Sequence, residues 1–542
     1  MPTEVIHIPI YIIQQNSLEF NHSGEISENN LCRCRRRRRV DCAKLEGLTT
    51  KWPSQLDTAG GKCYSYYGGG GCGRKRETVA GRTMAVSQFY GGSNSLRKIK
   101  VSPYIKIILC FLLPILVGSL LLWLPFSTSG DPLAYIDALF LATSGICVTG
   151  LSPVDVGTTL TIFGQCVMAI LIEIGGLSVL TIACFLILSV QKRLNYSTQT
   201  LMKEMLNQDT MDDIKTLIKK IVLFSLGVQC VGAIVNVIVF LCYFDDVGFA
   251  IRAALFHTVS SYNNAGFDIL GTGDSLLTLT SEMPAALNAV FKINTMLLIT
   301  VGGIGIIFLD DCIRKRSWKR LNISTKIVLV MTGSIILFGG LLFKLFFYAD
   351  GQDVPLLECF FLAVSSRTAG FDNVGLSEST PAAVQTLLIL LMYIGASPCS
   401  TGGGVKTTTF FIVLAVIAAF IRGKTPTFSY KRISSQSIMK ALVLIVFSIL
   451  YILLVSTLIG ALEGDECSVQ EIVFEVVSAF STTGLSLGIT SSVGVASKLV
   501  LCLTMFLGRV GVLTFLSSMN KSWIFAQSED EVRYVDENII VG

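Results

Sequence analysis

The chain is poor in charge and in the side chains that carry most chemistry. Charged residues make up 15% of its 542 residues and hydrophobic ones 51%, where a soluble domain has roughly 25% charged. That balance excludes the three or four soluble domains the length alone would suggest. It indicates an integral membrane protein with several spans. Only three histidines are present, His7, His22 and His257, too few for a His-based metal or acid–base site. There are 16 cysteines but no CxxC pair. Most of those beyond residue 100 lie in apolar runs, where Cys behaves as a small hydrophobe, so no disulfide framework is expected. No nucleophile–base pair, phosphate-cradling loop or metal cluster is recognisable. Neither an enzyme nor an organic cofactor is expected.

Charge is unevenly placed. Residues 1–100 hold 16 Lys and Arg against 8 Asp and Glu, while the whole chain is only +5. This stretch contains CRCRRRRR (Cys32 to Arg39), YYGGGGCG (Tyr66 to Gly73) and RKR (Arg74 to Arg76). Such composition cannot bury a core, and it reads as a basic, low-complexity, disordered N-terminal extension. Its arginines could meet acidic headgroups or nucleic acid. A solvated tail is the simpler reading, and no nucleic-acid partner is expected. Its five cysteines are irregularly spaced for zinc. The apolar stretch at residues 8–13 is too short for a signal peptide.

From about residue 103, long apolar runs alternate with short ones. The long runs cover residues 104–125, 161–190, 218–244, 285–309, 327–348, 384–421, 437–461 and 497–519. Most hold the about 20 residues a helix needs to cross hydrocarbon, which predicts eight transmembrane helices. Between odd and even runs lie four related segments. They are AYIDALFLATSGICVTGLSPVD from Ala134, RAALFHTVSSYNNAGFDILG from Arg252, LECFFLAVSSRTAGFDNVGL from Leu357 and QEIVFEVVSAFSTTGLSLG from Gln470. They superimpose on Gly150, Gly266, Gly370 and Gly484, at an interval of about 110 residues. The predicted fold is an all-α membrane protein of four tandem helix–pore-helix–filter-loop–helix repeats around one central pore, with four re-entrant half helices. The repeats fall at 101–215, 216–325, 326–435 and 436–542.

A helix of about ten residues cannot cross the bilayer and must re-enter. Non-helical backbone at that depth survives only where it is buried or lines water. Four such loops around one axis would form rings of carbonyls able to replace an ion's hydration shell. The candidate selectivity filter is Cys147, Val148, Thr149 and Gly150; Asn263, Asn264, Ala265 and Gly266; Arg367, Thr368, Ala369 and Gly370; and Ser481, Thr482, Thr483 and Gly484. Each short helix would aim its negative C-terminal end at a cation. Loops after even runs are basic, with Lys192, Arg193, Lys203 and Lys215 in the first, Arg314 to Lys326 in the second and Arg422 to Lys440 in the third. Those carrying the glycine segments are acidic. The positive-inside rule then makes both termini cytoplasmic and points the glycine loops outward, where their acidic residues would concentrate cations.

At this point the residues resemble a known family. TSGICVTGL, NNAGFDIL, SSRTAGFDNVG and STTGLSLG in the loops, with IEIGGLSVLTIA, GGIGIIFLDD, GASPCSTGGGVKTTT and FLGRVGVLTF in the following helices, are similar to the Trk/Ktr/HKT superfamily of potassium transporters. They are closest to the ion-translocating membrane subunits of Ktr systems. The resemblance covers about 80% of the chain and leaves out residues 1–100, which lack the two extra spans of TrkH proteins. It implies potassium as the substrate at the filter residues, a homodimer in the plasma membrane, and a cytosolic ring of nucleotide-binding regulatory subunits. Serine at the first filter position goes with sodium permeation in this family. All four positions here are glycine, which implies potassium. The loops depart from the TVGYG type of potassium channels, so selectivity is expected to be less strict.

The run at 384–421 is too long for one straight crossing. Pro398 and Gly402, Gly403 and Gly404 break it. The resemblance implies an intramembrane gate loop there; the alternative is a packing kink without a gating role. Lys406 would face the inner cavity or snorkel to the boundary. Arg509 lies mid-span and would act as an electrostatic barrier, as a tether for the gate loop's carbonyls, or only to hold helix ends together. Glu173 needs a partner that the sequence does not name. Asp310 and Asp311 read as a solvated boundary, His257 as a packing residue, and Gly175, Gly176, Gly302 and Gly303 as close helix contacts. The expected function is gated, channel-like potassium uptake. The alternative is a secondary transporter coupling potassium to sodium or protons, which would call for inverted repeats and midplane titratable groups.

Overall fold

A computed structural model describes residues 103–177, 181, 214–270, 275–429, 431–464 and 467–512. The N-terminal extension at 1–100, most of the first basic loop and the C-terminal tail lie outside the described residues.

The described chain is almost entirely helical. The first unit is α1 (Pro103–Trp123), α2 (Tyr135–Cys147) and α3 (Ile162–Gly176). The second is α4 (Ile214–Leu241), α5 (Val247–Asn263) and α6 (Ala285–Ile304), followed by α7 (Ile306–Lys315). The third is α8 (Ile323–Ala349) and α9 (Leu356–Ser365), then a pair, α10 (Ala382–Tyr393) and α11 (Thr407–Ile421). The fourth is α12 (Ser435–Glu463), α13 (Val469–Ser481) and α14 (Val495–Val510). One small hairpin pairs Thr427–Phe428 with Lys431–Arg432.

Four described helices are long and apolar enough to cross a membrane: α4 from Ile218, α6, α8 and α12. The other apolar helices are shorter. The description of the first unit's second helix stops near residue 177 and that of the fourth stops at 512. The run at 384–421 is two helices, as its glycines and proline predict. The run at 285–309 also breaks, at Gly305 (φ 86°). A single glycine within an apolar run is a weak breaking signal, and hydropathy alone predicts one helix here.

The short helices begin and end by local rules. Asp246 caps α5 by accepting the Gly248 and Phe249 N–H groups at 2.8 and 3.2 Å. Ser468 and Glu471 form a reciprocal capping box on α13. At the other end, α2, α5 and α13 each stop on a left-handed residue, Val148, Asn264 and Thr482. A left-handed cap satisfies the last carbonyls and turns the chain off the helix axis. The third unit differs: α9 stops at Ser365, and the left-handed residue is Thr368.

Beside a small cluster of Ile304, Phe308 and Val328, two large apolar clusters fill the interior. One joins the first two units and also takes in Phe361, Val364, Ala369 and Phe371 of the third. The other joins the last two units and takes in Phe140, Cys147 and Leu151 of the first. The packing order is cyclic: α3 lies on α5, α6 on α9, α10 on α13, and α14 returns to α2. Helices α3, α6, α10 and α14, one from each unit, therefore each support the next unit's short helix.

Asp310 and Asp311 are more organised than a solvated boundary. Asp310 pairs with Arg314 at 2.7 Å. Asp311 pairs with Lys315 at 2.7 Å and accepts from the Asn322 N–H and the Thr325 hydroxyl at 2.9 and 2.7 Å. The turn between α7 and α8 folds back and brings these donors to it, a juxtaposition the local sequence does not reveal.

Candidate ion-conduction site

The four aligned glycines meet. All have positive φ, between 70° and 98°. A β-carbon on Gly150 would lie 2.7 Å from the Ala265 carbonyl oxygen. One on Gly266 would lie 2.6 Å from the Ala369 oxygen, one on Gly370 2.2 Å from the Thr483 oxygen, and one on Gly484 2.2 Å from the Thr149 oxygen. Each glycine thus faces the carbonyl before the next, and the fourth returns to the first. This closed cycle requires glycine twice over, for backbone conformation and for space.

The residues before each glycine are buried, while the glycines are half-exposed. Cys147, Asn263 and Ser481 end their helices. Ser144 Oγ accepts the Gly150 N–H at 3.1 Å, and Ser478 Oγ accepts the Gly484 N–H at 3.0 Å. In the second loop Ser260 Oγ accepts from Phe267 N at 2.9 Å. In the third the role moves one residue, and Ser365 Oγ donates to the Phe371 carbonyl at 2.6 Å. Arg367 turns its guanidinium away from the ring, with Thr332 Oγ1 3.4 Å from Nη2. The Thr149 and Thr482 hydroxyl oxygens are buried and have no protein hydrogen-bond partner. Hard oxygens of this kind, beside carbonyls, suit a monovalent cation as substrate.

On one side of the ring a mouth of about 440 Å³ is lined by Gly150, Gly266, Gly484, Asp155 and Asp268. The acidic residues here do more than supply a field. Asp155 and Asp372 accept backbone N–H groups of their own loops. Glu475 accepts from the Ser486 hydroxyl at 2.7 Å and from that of Thr490. Asp137 and Glu358 form ion pairs. These carboxylates also do structural work, while Asp155 and Asp268 still line the mouth.

On the opposite side, residues 395–404 form a loop closed by a parallel bridge between Ile394 and Val405. It docks on the end of α6, where Ser397 N–H donates to Gly303 O at 3.1 Å. The break at Gly305 makes room: a β-carbon there would lie 2.9 Å from the Cys399 carbonyl oxygen. The loop then runs beneath the ring. A β-carbon on Gly402 would lie 2.0 Å from Thr368 Oγ1, one on Gly403 2.3 Å from Thr482 Oγ1, and one on Gly404 3.1 Å from Ser481 Cβ. Thr401 Oγ1 donates to Asn264 Oδ1 at 3.3 Å. Two cations hold the loop's carbonyls. Lys406 Nζ donates to Gly402 O at 2.8 Å and Gly403 O at 3.2 Å. Arg509 donates to Thr401 O and, through Nη2, to Gly175 O. Both line a cavity of about 200 Å³ beneath the ring. Two of the alternatives left open for Arg509 are present together in this geometry: a bond to the gate loop's Thr401 carbonyl and one to the helix-end carbonyl of Gly175.

Glu173 finds its partners here. Its carboxylate accepts from Gln229 Nε2 at 3.1 Å and from Asn263 Nδ2 at 2.6 Å. It thus holds the last helical residue before the second loop. His257 is buried against Phe291 and Phe371, with Nε2 3.0 Å from Thr295 Oγ1. The paired glycines have a sharper role than close helix contact. A β-carbon on Gly175, Gly302 or Gly508 would lie 2.1, 2.0 or 1.9 Å from the carbonyl oxygen of Ile146, Tyr262 or Phe480. Each is in the last turn of the same unit's short helix. The seat at Gly508 was missed, although its spacing from the loop glycine nearly matches that of Gly175.

A helical membrane protein with four loop glycines in a closed cycle is of the cation-transporter class. The chain belongs to the TrkH family of cation transport proteins, whose model matches residues 100–349 and 350–523. It is 34% identical to Ktr system potassium uptake protein B of Bacillus subtilis over 457 residues, covering 82% of this chain and 98% of the relative. It is 33% identical to potassium/sodium uptake protein NtpJ of Enterococcus hirae, again over 82% and 98%. The crystal structure of the potassium transporter TrkH from Vibrio parahaemolyticus shares its fold, with a TM-score of 0.59 at 17% identity, over 79% of this chain and 87% of that one.

Proposed function

We propose that this chain is the ion-translocating subunit of a Trk/Ktr-type potassium uptake system, carrying potassium through a gated, channel-like pore in the plasma membrane. The observation that carries the reading is the closed cycle of Gly150, Gly266, Gly370 and Gly484, each against the carbonyl before the next. The four loops act as the selectivity filter and the four units as tandem pore repeats. Residues 395–404 act as the gate, held beneath the filter by Lys406 and Arg509. Both termini are cytoplasmic. The subunit works as a homodimer with a cytosolic ring of nucleotide-binding regulatory subunits, in keeping with the Ktr system relatives.

Coupling to sodium or protons is the weaker reading. The intramembrane carboxylates Glu173 and Glu475 are engaged by amides and hydroxyls behind the loops. Sodium passage is nonetheless in keeping with the name of the Enterococcus relative. The test is ion flux into proteoliposomes containing only the purified chain, under a potassium gradient with and without sodium. Potassium flux without sodium supports a conducting pore. Flux that requires sodium replaces it with a coupled mechanism. Potassium flux absent in both conditions, even with the regulatory ring added, overturns the proposal.

A further inference from the structure

Helices α3, α6, α10 and α14 each carry a polar residue ten positions before the seat glycine or, for α10, before Gly395: Gln165 before Gly175, Lys292 before Gly302, Gln385 before Gly395 and Lys498 before Gly508. The types alternate, and so do their partners. Gln165 turns onto its own loop and donates to the Leu160 carbonyl at 3.1 Å. Gln385 does the same at the Thr380 carbonyl, at 2.8 Å. The two lysines reach across to the next unit. Lys498 donates to Asp137 of α2 at 2.8 Å. Lys292, 1% exposed, pairs with Glu358 of α9. Both acceptors sit in the first turn of a short helix, and Asn373, just past the third loop glycine, donates to Glu358 as well. These junctions are also where the two apolar clusters exchange residues. Phe361 and Phe371 of the third unit enter the first cluster, and Phe140 and Cys147 of the first enter the second.

We infer that Lys292–Glu358 and Lys498–Asp137 are twin locks joining two half-rings, and that they position the glycine cycle and so set its preference between potassium and sodium. The physical reason is that the ring has two kinds of joint. Within each half, the first unit to the second and the third to the fourth, one continuous apolar core fixes the geometry. Between halves the buried apolar contact is thinner: four residues of the third unit enter the first cluster and three of the first unit enter the second. A lysine–carboxylate hydrogen bond is charge-assisted and specifies both distance and direction, and it is strengthened where water is excluded. It fixes how far the α2 and α9 helices, and the loops they carry, stand from the opposite half. Sub-ångström placement of carbonyls is what discriminates two monovalent cations. The lysines do not touch the ion path and act as positioning residues.

The inference rests on the transport reading, and its test separates the two. The variants are Lys292→Gln and Lys498→Gln, which install the residue used at the other two junctions. Lys498→Arg is the conservative control, and the exchange Lys498→Asp with Asp137→Lys is the rescue. Two readouts are taken on each purified full-length chain: the potassium-to-sodium flux ratio in proteoliposomes, and the rise in unfolding midpoint given by potassium chloride over that given by sodium chloride in detergent. Each Gln variant is expected to lower the flux ratio about tenfold, as a misplacement of under 1 Å would, and to shrink the potassium-specific rise. Lys498→Arg and the exchange should restore both. Gln variants that keep both preferences while losing only baseline stability overturn the inference. A wild-type chain that conducts neither ion, even with the regulatory ring added, rejects the transport reading, and the ion-specific midpoints then still decide whether the locks set ion preference.

Discussion

Gly150→Ser tests the ring most directly. Gly150 has φ 98°, and a β-carbon there would sit 2.7 Å from the Ala265 oxygen, 3.2 Å from Gly484 Cα and 3.3 Å from Gly266 Cα. The backbone conformation alone costs a non-glycine residue about 1–3 kcal/mol. The contact with the oxygen must open by about 0.7 Å to reach ordinary van der Waals separation. Two neighbouring loops share that contact, so the ring widens on the Gly150–Gly266 side and the Ala265 carbonyl moves. If half the strain bears differently on the two ions, the potassium-to-sodium ratio falls by about 2- to 12-fold, since 1.4 kcal/mol is a factor of ten. The assay is paired rubidium and sodium tracer flux into proteoliposomes, normalised to folded protein. A serine variant that folds and keeps the wild-type ratio refutes the assignment of these glycines to the ion path.

Three further outcomes are expected. Shortening Gly402–Gly404 removes the backbone packed on Thr368 and Thr482, and flux per folded protein should rise; unchanged or lower flux argues against a gate. Arg509→Ala removes charge-assisted bonds to the carbonyls of Thr401 and Gly175, each worth about 1.5–3 kcal/mol. Flux should rise with the fold retained, and a fall in thermal stability alone would make Arg509 structural. Gly508→Ala drives a β-carbon into the Phe480 carbonyl and should destabilise by about 1–3 kcal/mol in detergent melts. Gly227→Ala, with nothing within 4 Å, should be neutral, and equal effects at both sites would refute the steric seat.

Much of the site was legible because it is written in local, repeated signals. The four aligned glycines all proved left-handed, and the Pro398 to Gly404 stretch did break its helix. These follow from residue types whose backbone limits are independent of context. The break at Gly305 and the third loop's shift by one serine were not legible, because each depends on what lies opposite: Cys399 in one case, the Phe371 carbonyl in the other.

By itself, the sequence determined that the chain is a membrane protein, that four of its segments align with one another, and that each aligned segment carries a glycine at the same place. Hydropathy, interval and residue type are properties of one strand of text, and they need no partner. The tertiary structure alone decided that the glycines close a cycle and that Gly402 and Gly403 lie beneath Thr368 and Thr482. It also decided that Glu173 belongs to Asn263, and that Lys498 reaches back to Asp137, 361 residues earlier. Contacts across such separations depend on the angle at which each unit packs on the next. That angle is set by shape complementarity among many side chains together and is carried by no single motif.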